Sequence, residues 1–238
     1  MSISNGIRMM DNIVSIAKPI ISEVAPKIHN GMKGFAERLL GFNDKYPKLE
    51  VFGKMLDNVS DIMGELLSAL GVESEPSYIL GMKVASADKS VTDFDTVEEY
   101  YEYLKNDVKV DNDKLNGLSS MERIVYSVVG LSVQVGVFGE KIGVNINADS
   151  VEMLSKIVNI GKIAFGSKEI IHLIEVLKDD GITDLSDMVE CIMGAGESDR
   201  VKTGRALENA FDIIRPNEGR NILNTIIDEI RSDKNEYT

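Results

Sequence analysis

Tryptophan is absent from this chain, histidine occurs only twice and cysteine once, and each scarcity removes a class of chemistry. A single cysteine, Cys191, excludes an internal disulfide and any cysteine metal cluster. Its setting in Met188-Val-Glu-Cys-Ile-Met193 is that of a small apolar residue in a reducing compartment. With aromatic residues at 6%, the core has to be aliphatic, built on Ile, Leu, Val and Met. No Gly-x-Ser-x-Gly elbow is present, and Gly161-Lys162-Ile163 breaks off before it becomes a phosphate-binding loop. No cleavable leader is visible, because the apolar stretch from Ile13 is interrupted by Lys18, Pro19 and Glu23. The uncharged run Ile124 to Gly139 has sixteen residues and includes Ser127, Ser132 and Gln134, which falls short of the roughly twenty needed for a bilayer span. A cytoplasmic location is the expectation that follows.

Excess positive charge is lacking too. A net charge of −13 argues against direct nucleic-acid binding, where Lys and Arg must neutralise phosphates. The deficit is uneven: residues 1–60 hold eight basic and six acidic side chains, residues 61–122 five and fourteen, and the remainder thirteen and nineteen. Such asymmetry marks separate surfaces, although a solvated acidic face also produces it.

What the chain does contain is helical periodicity. Met121, Ile124, Val128, Leu131, Val135, Phe138 and Ile142 recur at threes and fours, which places them on one face of a helix near 119–142. Ser119 or Ser120 can cap it, with Glu122 in the first turn. The alternation of Leu131, Val133, Val135 and Val137 also suits a strand, but the three-four spacing runs well past strand length. Gly130, Gly136 and Gly139 weaken a lone helix by about 1 kcal/mol each, so another helix is expected to pack closely over them.

An earlier stripe runs through Ile13, Ile16, Ile20, Val24, Ile28, Met32, Phe35 and Leu39, with Pro19 and Pro26 expected to split it into two helices. Val51, Met55, Val59, Ile62, Leu66 and Leu70 form a further face ending at Gly71. After the short, polar segment Val72–Ser77 come a Tyr78–Ala87 helix, a helix capped by Asp95, the central helix, and five more, the last with Pro216 in its first turn. The reading is all-α, an irregular multi-helix bundle around the central apolar helix. An N-terminal amphipathic segment is expected over 1–72 and an acidic bundle domain over 77–238.

Candidate sites are few. Glu169-Ile-Ile-His172 has the Glu-x-x-His spacing of di-iron bundles, but such a site needs the motif twice and it occurs once. Asp111, Asp113 and Glu122 match three positions of a calcium loop, yet Leu115 stands where the fifth position needs oxygen and Asn116 where the sixth needs glycine. No metal or cofactor is expected. In the helix after Asp95, Phe94, Val97, Tyr101, Leu104 and Val108 form the core stripe, which leaves Tyr100 and Tyr103 on another face beside Glu99 and Glu102. Tyrosine gives contact area at low entropy cost, so Tyr100, Tyr103, Glu99 and Glu102 form the candidate protein-binding face.

Three functions are compatible with these observations. The first is a cytoplasmic, non-enzymatic helical interaction protein, such as an adaptor, inhibitor or immunity-type binder, whose acidic surface meets another protein with a basic one. The second is a peripheral membrane protein acting through residues 7–40. The third is an enzyme whose carboxylates converge only in three dimensions.

Overall fold

In the computed structural model, residues 15–41, 48–160, 165–194 and 200–233 are described. The chain is all-α: helices α1 (15–24), α2 (Asn30–Gly41), α3 (Leu49–Ala69), α4 (Ser77–Ser86), α5 (Val97–Asp107), α6 (Asn112–Asn116), α7 (Ser120–Ile142), α8 (Ala148–Asn159), α9 (Ser167–Asp179), α10 (Ser186–Met193), α11 (Arg200–Ile214) and α12 (Gly219–Asp233) follow one another. Pairing of extended backbone among the described residues is limited to an isolated parallel bridge between Asn145 and Asp184. Two compact units form, Met1–Phe138 and Gly139–Thr238, and the linker-like segment Val72–Ser77 lies inside the first.

In the first unit the break in the N-terminal stripe comes at Pro26, which sits in a single 3-10 turn, Ala25–Lys27, whereas Pro19 is accommodated within α1. Ile20, Val24, Ile28, Met32, Phe35 and Leu39 are all buried; Ile13 lies outside the described residues. The stripe is therefore spent on the unit's own core. Helix α3 is rotated from its expected face: Phe52, Leu56, Val59, Met63, Leu66 and Leu67 point inward, while Val51 is 43% exposed. The inward row carries Phe52 and closes on adjacent Leu66 and Leu67, giving a wider apolar stripe than the row starting at Val51. Gly71, in the left-handed conformation with φ 80°, ends α3, and the Val72 amide donates back to the Leu67 carbonyl at 2.9 Å.

Helix α7 begins in a reciprocal capping box. The Ser119 amide donates to Glu122 Oε2 at 2.9 Å, and the Glu122 amide donates to Ser119 Oγ at 3.2 Å. Ile124, Val128, Leu131, Val135, Phe138 and Ile142 are buried as expected, but so are Val125, Val129, Val133 and Val137. The helix is surrounded, which explains why its sequence also alternates like a strand. At 23 residues it is long and apolar enough to cross a membrane by length and composition, which the uncharged run alone underestimates; 78% of its most apolar window is buried within the chain. Its glycines meet other elements closely. A Cβ added to Gly130 would lie 2.7 Å from the Ser77 carbonyl carbon, and one on Gly136 would press on Met32 and Val97.

In the second unit, α11 packs on α9, α10 and α12, and α10 also on α8 and α12. Leu173, Ile174, Leu177, Leu185, Met188, Ile192, Leu207, Phe211 and Ile226 fill the core. Arg231 Nε donates to the Ile192 carbonyl at 2.9 Å, satisfying the end of α10. The start of α8 is capped by Asn147, whose side chain accepts from the Ser150 amide at 2.8 Å. Pro216 lies in the turn before α12, not in its first turn, and Asn217 there takes φ 67°.

Candidate protein-binding face

Helix α5 is fixed at its start by Thr96, one residue after the expected cap: Thr96 Oγ1 accepts from the Glu99 amide at 3.1 Å, and Glu99 Oε2 accepts from the Asp95 amide at 3.1 Å. Four residues were expected to share its outer face, and the structure separates them. Tyr100 is fully buried, as are Tyr101 and Leu104. The expectation that Tyr100 points outward is thus corrected. Positions 97, 100, 101 and 104 follow the i, i+3, i+4, i+7 pattern of a core stripe, and including Tyr100 in that stripe would have found this from the sequence. Tyr103, Glu102 and Glu99 remain at the surface, the first two half-buried and the last exposed.

The two rings do share an intramolecular task. Tyr100 and Tyr103 stack with centroids 6.2 Å apart, and Phe94 lies 5.5 Å from the first and 5.2 Å from the second. The Lys89 ammonium sits 5.3 Å over the Tyr103 ring and 5.6 Å over Phe94, a cation–π cap on the outer side. The Tyr103 hydroxyl donates to Asp88 Oδ1, and this bond holds the Asp88 carboxyl below the usual carboxylate range. The Tyr100 hydroxyl is buried without a partner, and burial, followed by the charge of Tyr103, pushes its pKa well above that of an ordinary tyrosine.

Beside this cluster lies a second, polar one. Lys83 is nearly buried, and its Nζ donates to Glu75 Oε1 at 2.7 Å and to the Lys105 carbonyl at 2.8 Å. Gln134 Nε2, from the fully buried face of α7, donates to Ser74 Oγ at 3.2 Å and to the Glu75 carbonyl at 2.9 Å. The Tyr101 hydroxyl accepts from the Glu75 amide and donates to the Glu73 carbonyl. These bonds tie the segment between α3 and α4 to α5 and α7. A buried lysine and glutamine of this kind carry no periodic signature, so nothing in the sequence marks them.

The other candidates part in the same way. Glu169 is engaged by Arg215, at 3.2 Å, and by the Gly166 amide, while His172 is half-exposed beside Glu175. Residues Asn112–Asn116 form a helix capped by Asp111 where a calcium loop would have to wrap. Cys191 is half-buried, its thiol donating to the Arg200 carbonyl, and burial raises its pKa. The Gly161-Lys162 fragment lies outside the described residues. Among the described residues no group of three metal-ligating side chains forms.

No family model, curated protein or solved structure matches the chain.

Proposed function

We propose that the chain is a non-enzymatic helical protein that binds another protein, and that the surface of α5 with the preceding loop meets a basic surface on that partner. The observation that carries this reading is the charge around the aromatic cluster. Residues 88–107 hold seven carboxylates and two lysines. Both lysines are already engaged, Lys105 by Glu73 at 3.1 Å and Glu102 at 3.5 Å, and Lys89 over the two rings. Asp88, Asp93, Asp95 and Glu99 stand exposed around the half-buried Tyr103 and Phe94 rings. A rigid aromatic patch inside a negative rim favours a basic partner, the rim steering the encounter and the rings supplying contact area. Burial of Ile20, Val24, Ile28, Met32, Phe35 and Leu39 within the first unit speaks against the membrane alternative through residues 7–40.

A pull-down from the native host with the wild-type chain and with Glu99→Lys/Glu102→Lys tests the reading. A partner retained by the wild type and lost by the variant is the expected result, with helical circular dichroism showing that the variant stays folded although it gives up the Glu99 cap on the Asp95 amide. Identical capture by both would remove the α5 face from consideration.

A further inference from the structure

Between residues 88 and 99 the sequence sets five carboxylates around a single cation, Lys89. Lys89 has not paired with them. Its ammonium lies 5.3 Å from the centroid of the Tyr103 ring and 5.6 Å from that of Phe94, and it forms an ion pair with none of the described carboxylates. The acidic groups around it are bonded to neutral donors instead. Asp88 accepts from the Tyr103 hydroxyl, Asp93 from the Ser90 amide and hydroxyl, and Glu99 from the Asp95 amide. Such bonds leave the negative charge of each carboxylate unbalanced. The other cations nearby are committed elsewhere, Lys27 to the Ala85 carbonyl and Lys105 to Glu73 and Glu102. The paired rings are thus a place that takes a cation in a surface still short of positive charge.

We infer that Lys89 occupies, in the free chain, the place that an arginine side chain of the partner takes, and that Lys89 swings out when the partner binds. The inference rests on the α5 face being a protein-binding surface and names the chemistry that it reads. Tyr103 and Phe94 lie 5.2 Å apart at an interplanar angle of 33° and present their π faces to the same cation. An ammonium there gains the rings alone. A guanidinium is planar and more weakly hydrated, so it stacks on a ring while its fork of N–H donors reaches a carboxylate beside it, and Asp88 stands at the edge of the Tyr103 ring. Lys89 is exposed on the loop before α5, so rotation of its side chain frees the rings without moving the helix. Being tethered, it competes at every partner concentration. A partner has to offer more than a lysine offers, which favours arginine over basic surfaces in general.

Titration of the isotope-labelled full chain with Nα-acetylarginine amide, followed by NMR, tests this without the partner. Shifts should be confined to the amides of 88–103 and the Tyr103 and Phe94 rings, and Nα-acetyllysine amide should bind more weakly. Lys89→Ala should bind the arginine probe about two- to fivefold more tightly, the range that one exposed cation–π contact supplies. Lys89→Arg keeps the net charge but fills the place with a tethered guanidinium, and it should bind the probe more weakly than the wild type. Lys109→Ala removes the same charge from an exposed site just past α5 and should leave the affinity near that of the wild type. No response at 88–103, or equal affinities for the wild type and both Lys89 variants, overturns the inference. So does a gain in Lys109→Ala equal to that in Lys89→Ala, which would reduce the effect to net charge. If the pull-down partner is lost with Glu99→Lys/Glu102→Lys while the Lys89 variants bind the probe alike, the α5 face stands and only its arginine site fails.

Discussion

Gly81 of α4 and Gly130 of α7 let two helix backbones touch: a Cβ on Gly81 would sit 2.7 Å from the Tyr126 carbonyl carbon, and one on Gly130 at the same distance from that of Ser77. Real Cβ atoms do not approach other atoms within 3.0 Å, and here the obstacle on both sides is backbone, which cannot rotate away. The contact explains why a helix otherwise full of Val tolerates glycine at its centre. Gly130→Ala should therefore cost about 3 kcal/mol or more, and Gly81→Ala a similar amount, by forcing the helices apart. Gly34 in α2 meets nothing within 4 Å, and Gly34→Ala should raise stability by about 0.5–1 kcal/mol through helix propensity alone. Denaturant titration of the three variants checks the order, and a harmless Gly130→Ala would refute the close crossing.

Tyr100 is buried with its hydroxyl unpaired, so ring and hydroxyl should act in opposite directions. Tyr100→Phe removes the unsatisfied group and should stabilise by about 1 kcal/mol. Tyr100→Ala removes the ring from its stack with Phe94 and Tyr103 and should cost about 3–5 kcal/mol. Thermal melts of both variants separate the two effects. A Tyr100→Phe chain less stable than wild type would mean that the hydroxyl has a partner in solution.

Lys83 and Glu75 should behave as a coupled pair, because either one alone leaves a largely buried charge without its counterpart. Glu75→Gln and Lys83→Met should each destabilise, and the double variant should lose less than the sum of the two by about 1.5 kcal/mol or more. Strict additivity in the cycle would show that the Lys105 carbonyl and solvent carry the lysine without Glu75.

The acid limb of stability should report on Asp184. Partial burial works to raise its pKa, but the Ser186 hydroxyl and amide, with the Asn145 side chain, hold it below the ordinary carboxylate value. A carboxylate whose folded pKa is depressed stabilises above its unfolded pKa, about 3.9, and that contribution is lost as pH falls through the lower folded value. Asp184→Asn should therefore be less stable than wild type at pH 7, with the gap narrowing below about pH 4. A gap that stays constant across the acid range would show that the charge of Asp184 contributes nothing.

The helices are written locally in the chain. Apolar spacing at threes and fours, stop glycines such as Gly71 and Gly181, and the Ser119–Glu122 capping box are local, and a helix is a local object whose hydrogen bonds close within four residues. Even the close packing over Gly130 was legible as a demand, since an unstable helix centre needs a neighbour. The neighbour that answers it, Ser77 and Gly81 of α4, is fixed by how α4 crosses α7, which no local pattern encodes. The same holds for the inward face of α3, where two apolar rows compete, and for Tyr100, which belongs to a stripe that the sequence can draw in two ways. Lys83, Glu75 and Gln134 come from three separate parts of the chain, and their meeting in one hydrogen-bonded cluster depends on distances that no periodicity encodes. A buried polar group is legible only once its partners are in place, because burial without them costs more than most single contacts return.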